Sequence, residues 1–234
     1  MRRAIAFLTP IGGAATPDRA TFSWFPAAGA LIGLAVGSVW WGADRLWAPA
    51  VAAAIVIAAD LALTGLLHVD GLVDSADGLL PQMERERRLA VMAEPTVGAY
   101  GVTVAVVVLL LRFAALASMA PDVLLVAGAW CAARTTMAVA ARVVPYARDG
   151  GGLATDLLGG DWRWVAAYGV TGALVLGALA DGTQTVLAVA AGLAAGAAVV
   201  AFGWRRLGGF TGDVLGAAGV VAETITLLVA AAAW

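Results

Sequence analysis

Continuous apolar runs as long as a membrane-spanning helix constrain this chain more than any other feature of its sequence. A spanning helix needs about 20 predominantly apolar residues. About seven such stretches occur among the 234 residues, at roughly 25–42, 48–67, 97–119, 123–144, 164–180, 185–203 and 214–233. None shows the alternating pattern of a transmembrane barrel strand. The pattern predicts an all-α, polytopic integral membrane protein, with residues 1–234 forming a single transmembrane helical domain.

Composition and charge support this class and exclude others. Hydrophobic residues make up 62% of the chain and charged residues 13%, against about half and about one-quarter in soluble domains. The formal net charge of −2 argues against nucleic acid as a partner. We expect the lipid bilayer as the surroundings, and a homo-oligomer is left open. Cys131 is the single cysteine, so no internal disulfide can form.

Arginine placement predicts the orientation, because cytoplasmic loops of membrane proteins carry an excess of positive charge. Every basic residue of the chain is an arginine, and most lie in alternate connections: Arg2, Arg3, Arg19, Arg85, Arg87, Arg88, Arg148, Arg163, Arg205 and Arg206. The opposite connections contain only Arg45. The sequence therefore predicts a multi-pass protein of the plasma (inner) membrane with a cytoplasmic N-terminus and an active site at the cytoplasmic face.

The stretch TGLLHVDGLVDSADGLL, residues 64–80, carries the strongest functional signal. Asp70, Asp74 and Asp77 are spaced i, i+4 and i+7, which places them within roughly 60° of one another on a helix that turns about 100° per residue. Like charges at this spacing repel, and a divalent cation such as Mg²⁺ would relieve the repulsion. The alternative interpretation is a solvated, polar helix end. His68, the chain's single histidine, directly precedes this acidic stripe.

Ionisable residues also occur inside the apolar runs, where they usually mark function. For Arg134 and Arg142 two interpretations stay open: guanidinium groups that grip phosphate oxygens, or internal ion pairs with Asp60 or Glu223. Arg112 lies toward the outer end of its run, where we expect its side chain to extend to the membrane surface.

A glycine-rich segment precedes the last apolar run. Gly208, Gly209 and Gly212 lead into a helix start, and such a backbone can seat a phosphate group. Thr211 and Gly212 are therefore phosphate-binding candidates. Asp213 fits either a site residue or a plain helix cap. The glycine-rich loop 145–162 is either a lid or a simple linker.

These blocks together carry a resemblance to a known family. The sequence resembles the adenosylcobinamide-GDP ribazoletransferase (cobalamin synthase) family nearly end to end. The resemblance is carried by FLTP with SWFPAAGALIGL, TGLLHVDGLVDSADGLL, ERRLAVMAEPTVGAYG, PYARDGGGLA and LGGFTGDVLGAAGVVAE. It implies a phosphoryl transfer that joins adenosylcobinamide-GDP to α-ribazole or its 5′-phosphate, releases GMP and forms adenosylcobalamin or its 5′-phosphate, with Mg²⁺ as cofactor.

The resemblance also suggests roles for individual residues. The predicted metal ligands are Asp70, Asp74, Asp77, Asp213 and Glu223. The predicted substrate- and phosphate-binding residues are Arg134, Arg148, Thr211 and Gly212. His68 or an aspartate, Asp77 in particular, would accept the hydroxyl proton; for His68 the alternative is a hydrogen-bonded histidine at a helix end.

Two other functions remain compatible with parts of the sequence. One is a phosphatidyltransferase-like lipid synthase that uses a CDP-activated donor. The other is a cation-coupled transporter, although transporters usually place their carboxylates near the bilayer midplane and show inverted repeats.

Overall fold

The computed structural model describes residues 1–11, 13, 18–148 and 160–232, and the regular structure of these residues is eleven helices with no β-strand. The helices are α1 (Arg2–Leu8), α2 (Arg19–Ser23), α3 (Phe25–Asp44), α4 (Pro49–Leu63), α5 (Leu67–Leu79), α6 (Arg85–Val91), α7 (Ala99–Ser118), α8 (Val123–Val143), α9 (Trp162–Asp181), α10 (Thr183–Leu207) and α11 (Gly212–Ala230).

Within the described ranges, six helices are long and apolar enough to cross a membrane: α3, α7, α8, α9, α10 and α11. A bent pair, α4 with α5, counts as a seventh span if its two parts are taken together. The all-α, polytopic prediction is confirmed. The second span is corrected, because the predicted run 48–67 breaks at Leu63 and its end belongs to α5. The cytoplasmic position of the N-terminus stays a prediction.

Glycines at four-residue spacing let the spans pack closely, as helices do in lipid. On α3, a Cβ at Gly33 would lie 2.7 Å from the Cα of Ala127 on α8, and one at Gly37 would lie 2.9 Å from the Cα of Val123. On α10, a Cβ at Gly192 would lie 2.7 Å from the carbonyl oxygen of Ala222 on α11. Alanine at these positions would push the helices apart.

The helices α8 and α11 are the most enclosed spans that the structure describes. About four-fifths of α8 and two-thirds of α11 are buried, 78% and 67% over their most apolar windows. Contacts with α3, α9 and α10 surround α8, while α5, α7, α8 and α10 surround α11. Side chains on α8 and α11 therefore project into the protein interior rather than into lipid.

The short helices gather at one end of the bundle. Arg85 on α6 ties two chain segments there, since its Nε donates to the carbonyl oxygen of Leu207 at 2.7 Å and its Nη2 to that of Ala147 at 2.7 Å. These acceptors lie where α10 ends and just after α8 ends. The starts of α7 and α11 belong to the same end, because α7 follows α6 and α11 follows α10.

Candidate active site

The chain turns sharply between α4 and α5. Gly65 and Leu66 both adopt left-handed backbone, with φ of 59° and 62°, and α5 runs at 90° to α4. Glycine adopts this conformation without strain, whereas a leucine there is unusual. The 13 residues of α5 span about 20 Å at about 1.5 Å per residue, too short to cross a bilayer alone. The turn therefore lays the acidic stripe across the end of the bundle.

The three aspartates of the stripe lie on one helix, as their spacing predicts, but in unequal surroundings. Asp70 is exposed, Asp74 is half-buried and Asp77 is buried. The carboxylate of Asp74 is close enough to those of Asp213, Asp70 and Asp77 for their negative charges to repel. Four carboxylates therefore share one region, and its charge is only partly balanced by Arg148, which also interacts with Asp74.

The carboxylate of Asp77 is engaged by backbone at the start of α7. It accepts hydrogen bonds from the N–H groups of Gly98 at 2.7 Å and Gly101 at 2.9 Å. A carboxylate at a helix N-terminus stabilises the unpaired N–H groups of the first turn. In the structure Asp77 connects α5 to α7 by hydrogen bonds, while its predicted metal and catalytic roles stay predictions.

Glycines bring α5 and α11 into direct backbone contact. A Cβ at Gly71 would lie 2.9 Å from the carbonyl oxygen of Asp213, and one at Gly216 would lie 3.2 Å from the carbonyl oxygen of His68. The first turn of α11 therefore lies against the first half of α5. This contact is what places Asp213 beside the stripe, although the two are far apart in the sequence.

Asp213 receives two further polar contacts. Arg148 forms an ion pair with it, with 3.2 Å between Nη2 and Oδ2, and the Thr211 hydroxyl donates to the same oxygen at 3.2 Å. Arg148 reaches this position because its neighbour Ala147 is hydrogen bonded, N–H to carbonyl oxygen, to Phe210 at 2.9 Å. Thr211 also caps α11. Arg148, Thr211, Gly212 and Asp213 thus form one cluster.

A cavity of about 270 Å³ opens beside this cluster. Its walls are mainly apolar and rich in aromatic rings: Phe7, Phe22, Phe25, Tyr146 and Phe210. Polar residues line it where α5 meets α11: His68, Asp70 and Asp213. The cavity therefore has an apolar, aromatic part and an acidic part.

The α2 segment that carries Phe22 is held by a capping box. Asp18 accepts from the N–H of Thr21 at 2.9 Å, and its own N–H donates to the Thr21 hydroxyl at 2.9 Å. The hydrogen bond from that hydroxyl lowers the pKa of the Asp18 carboxyl. Arg3 on α1 forms an ion pair with Asp18, so α1 and α2 are fixed together beside the aromatic wall.

His68 lies in the first turn of α5 and is 4% exposed. Neither of its ring nitrogens has a hydrogen-bond partner among the described residues. A buried polar group without a partner costs free energy. His68 is therefore a cavity-lining group whose nitrogens are available to a ligand, which differs from the hydrogen-bonded helix-end histidine considered above.

A second polar cluster lies deeper in the bundle. Arg112 forms ion pairs with Asp60, at 3.1 Å, and with Glu223, and Arg134 also pairs with Glu223. Trp130 donates its indole N–H to Asp60 at 3.1 Å. We call these four charged residues the buried charge network. They carry two positive and two negative charges, so the network is balanced when all four are ionised.

The network bears on the two interpretations of Arg134 and corrects the expectation for Arg112. Arg134 is 1% exposed and pairs with Glu223, which is the internal ion pair proposed as the alternative to phosphate binding. The phosphate role of Arg134 and the metal role of Glu223 stay predictions that this geometry does not favour. The expectation that Arg112 extends to the membrane surface is wrong, because Arg112 is 3% exposed and ion-paired.

The acidic part of the cavity can bind a metal ion only if substrate phosphates supply some of its ligands. Among the described residues, no group of three or more His, Cys, Asp or Glu side chains could hold a metal ion. Mg²⁺ commonly uses one or two protein carboxylates together with substrate phosphates. Two of the mutually repelling carboxylates of Asp70, Asp74 and Asp213 can supply such a partial set.

Comparison with known proteins identifies the family. The sequence profile of the cobalamin-5-phosphate synthase family matches residues 1–231. The chain belongs to this family. An adenosylcobinamide-GDP ribazoletransferase of Bradyrhizobium diazoefficiens is 38% identical over 99% of this chain and 93% of its own length. A protein of the same name from Pseudomonas paraeruginosa is 36% identical, over 96% of this chain and 94% of its own length. No solved structure gives a significant match.

Membership of the cobalamin-5-phosphate synthase family confirms the resemblance inferred from the sequence and makes this protein a transferase of cobalamin biosynthesis. Of the predicted site residues, the structure brings together those on α5 and at the start of α11 with Arg148, which follows α8. They are His68, Asp70, Asp74, Asp77, Thr211, Gly212, Asp213 and Arg148. The structure places Arg134 and Glu223 in the buried charge network. The middle of the predicted lid or linker, residues 149–159, lies outside the described residues.

Sequence reasoning missed the aromatic side of the site in this family member. Phe7, Phe22, Tyr146 and Phe210 come from four separate segments, and no local spacing connects them. Three of them did offer a signal, since Phe7, Tyr146 and Phe210 each lie within a block that carried the family resemblance.

Proposed function

We propose that this chain joins adenosylcobinamide-GDP to α-ribazole or its 5′-phosphate, at the cytoplasmic face of the plasma membrane. In this reaction a ribose hydroxyl oxygen of the acceptor bonds to the phosphorus that bears the cobinamide arm. The bond from that phosphorus to the GMP oxygen breaks, and its electron pair leaves with GMP. The hydroxyl proton passes to a carboxylate of the site. The products are GMP and adenosylcobalamin or its 5′-phosphate.

The observation that carries this proposal is the meeting of α5, α11 and Arg148 beside one cavity. Phosphoryl transfer depends mostly on positioning and on charge stabilisation. The guanidinium of Arg148 is one-third exposed and lies 3.2 Å from Asp213, so it is available to phosphate oxygens. Thr211 and Gly212, at the N-terminus of α11, add a hydroxyl and backbone N–H groups of the kind that bind phosphate.

The acidic residues have two proposed tasks. Asp74 and Asp213 would hold a magnesium ion jointly with the diphosphate. When bound, the ion would neutralise negative charge on the phosphate oxygens. Asp70 is exposed and lines the cavity, so we also propose it as the carboxylate that accepts the hydroxyl proton. The diphosphate then lies near the acidic residues, and the acceptor extends into the cavity.

Measurement of GMP release from the purified, detergent-solubilised protein tests the proposal. Adenosylcobinamide-GDP is supplied with α-ribazole 5′-phosphate or with α-ribazole, and CDP-diacylglycerol with an alcohol acceptor serves as the donor control. We expect GMP release with the corrinoid donor, no CMP release from the lipid donor, loss of activity in EDTA and its return with excess Mg²⁺. If neither acceptor gives GMP release, the proposed function is refuted. Full activity in EDTA would refute the requirement for Mg²⁺.

A further inference from the structure

The aromatic rings that line the cavity form two groups. The ring centroids of Phe22 and Phe25 lie 4.4 Å apart, and those of Phe7 and Phe25 lie 5.8 Å apart. Tyr146 and Phe210 form an edge-to-face pair with centroids 5.4 Å apart. The two groups come from the first three helices and from the segments that follow α8 and α10. They present ring surfaces to the same cavity, an arrangement suited to a flat aromatic ligand.

His68 adds a buried polar group to this mainly apolar lining. It is 4% exposed and lines the cavity, and both ring nitrogens lack a partner among the described residues. A neutral imidazole offers one hydrogen-bond donor and one acceptor. A ligand with a single acceptor nitrogen at its edge would pair with the imidazole N–H of His68 while leaving its other edges against apolar walls.

From this arrangement we propose that the cavity is the binding site for the planar base of the acceptor nucleoside, and that His68 donates a hydrogen bond to the free ring nitrogen of that base. The proposal rests on the proposed function, in which the acceptor is α-ribazole, the riboside of a benzimidazole. It places the base against the aromatic rings and the ribose near Asp70 and Asp213, which line the same cavity. The attacking hydroxyl and the phosphate-binding residues are then neighbours.

The cavity suits this base better than the other parts of the two substrates. At about 270 Å³ it lies just below the roughly 300–1,000 Å³ of sites for drug-sized ligands, so a corrin ring with its substituents does not fit. Guanine carries several donors and acceptors around its edge, and in a mostly apolar cavity most of them would be buried without partners, at a cost for each. A benzimidazole nucleoside has one free ring nitrogen and otherwise apolar edges.

The decisive experiment compares two acceptors that differ at one atom. One is the benzimidazole riboside, and the other is the indole riboside in which a C–H replaces the free ring nitrogen. For the wild-type protein we expect kcat/KM to favour the benzimidazole by about tenfold, the size of one well-formed buried hydrogen bond. In His68→Phe, which keeps a ring but removes both nitrogens, we expect the preference to vanish. His68→Gln provides a second variant if His68→Phe does not fold, with a reduced preference expected.

The aromatic wall is tested separately by direct binding. Free benzimidazole is titrated calorimetrically into the protein without donor or magnesium, so that this readout does not depend on turnover. We expect Phe210→Leu to weaken binding about two- to tenfold, the contribution of an aromatic pair. Phe113→Leu is the matched control, because Phe113 is partly buried against the core and does not line the cavity. It should bind benzimidazole as the wild type does.

The outcomes separate this proposal from the proposed function. If the wild type releases no GMP, the proposed function fails, while calorimetry still tests whether the cavity binds the base. If it does release GMP, but His68→Phe keeps the preference for the nitrogen-bearing acceptor, the role of His68 is refuted. A kcat loss equal for both acceptors, with the preference unchanged, would instead assign His68 to proton transfer and overturn the proposal. Equal binding by Phe210→Leu and Phe113→Leu would refute the aromatic binding site.

Discussion

Replacement of Arg112 by methionine probes the buried charge network most directly. The Arg112 guanidinium contacts Asp60 and Glu223, and it also donates to the Thr224 hydroxyl at 2.8 Å and to the carbonyl oxygen of Val220 at 3.0 Å. Methionine keeps a long apolar stem but removes all of these contacts. Asp60 would then retain the indole N–H of Trp130, at 3.1 Å, and its charge would lose its nearest counter-charge.

The expected effect is large because the charge left behind is buried. Removal of one partner of a buried ion pair typically destabilises a protein by about 3–5 kcal/mol, and Asp60 is 6% exposed. We expect Arg112→Met to fall in that range. Arg87→Met is the matched control, since Arg87 pairs with Glu94 at 2.9 Å on the surface. Exposed pairs contribute about 0–1 kcal/mol.

A double variant shows whether the stranded charge is the cause. In Asp60→Asn with Arg112→Met, Arg134 and Glu223 remain as a balanced pair, so we expect the double variant to be more stable than Arg112→Met alone. Thermal unfolding in detergent, followed by tryptophan fluorescence with size exclusion as a check on aggregation, measures all four proteins. The inferred network would be refuted if Arg112→Met were as stable as Arg87→Met, or if the double variant were no more stable than the single one.

Three further predictions concern the site itself. Asp74→Asn should lower GMP release at least a hundredfold while changing the free energy of unfolding by less than about 0.5 kcal/mol. Asp181 is an exposed aspartate at the end of α9, and Asp181→Asn should leave activity and stability unchanged. Full activity of Asp74→Asn would contradict the metal proposal. Asp77→Ala removes the carboxylate bound to the start of α7 and should cost about 0.5–2 kcal/mol in thermal unfolding, and an unchanged unfolding temperature would contradict its joining role. Gly71→Ala should reduce GMP release, because the added methyl group would overlap the start of α11. A Cβ at Gly42 would have no other atom within 4 Å, so Gly42→Ala should remain active. Equal activity of the two variants would contradict the close contact of α5 with α11.

The spans were predictable because they depend on local properties. Apolar length and small-residue spacing decide where helices cross a membrane and approach each other, and both can be read from neighbouring residues. The break between α4 and α5 was not predictable in this way. From residue 50 to Leu66 the run contains only Asp60 and Thr64 as polar residues and no proline. Its hydropathy therefore stays high where the backbone turns, at Gly65 and Leu66.

The polar contacts show the same difference between features that neighbouring residues predict and features that depend on distant residues. The spacing of Asp70, Asp74 and Asp77 on one helix is local and was predicted, as was a helix start near Asp213. The partners of Arg112 lie 52 and 111 residues away in the sequence, so its burial could not be seen in its own segment. Considered alone, an arginine near the end of an apolar run resembles one that extends to the membrane surface.

The buried charge network and the active site share two helices. On α11, Glu223 follows Asp213 by ten residues, about 15 Å at 1.5 Å per residue, and on α7, Arg112 follows Gly101 by eleven residues. The Arg112–Glu223 pair fixes α7 and α11 against each other. At the site end, α5 is attached to both helices, through Asp77 to α7 and through Gly71 to α11. We therefore expect a change in the network to alter the positions of the acidic residues, although the network does not line the cavity.

This connection determines how a loss of activity in a Glu223 variant has to be interpreted. If Glu223 acts through the ion pairs, Glu223→Gln leaves Arg134 and Arg112 with one negative partner, Asp60, so stability and GMP release should fall together, and excess Mg²⁺ should restore neither. If Glu223 holds the metal, stability should change little and the Mg²⁺ concentration needed for half-maximal activity should rise. We expect the first result, because Glu223 is 2% exposed and both of its oxygens are paired with arginine. A shifted Mg²⁺ requirement at unchanged stability would refute the structural role.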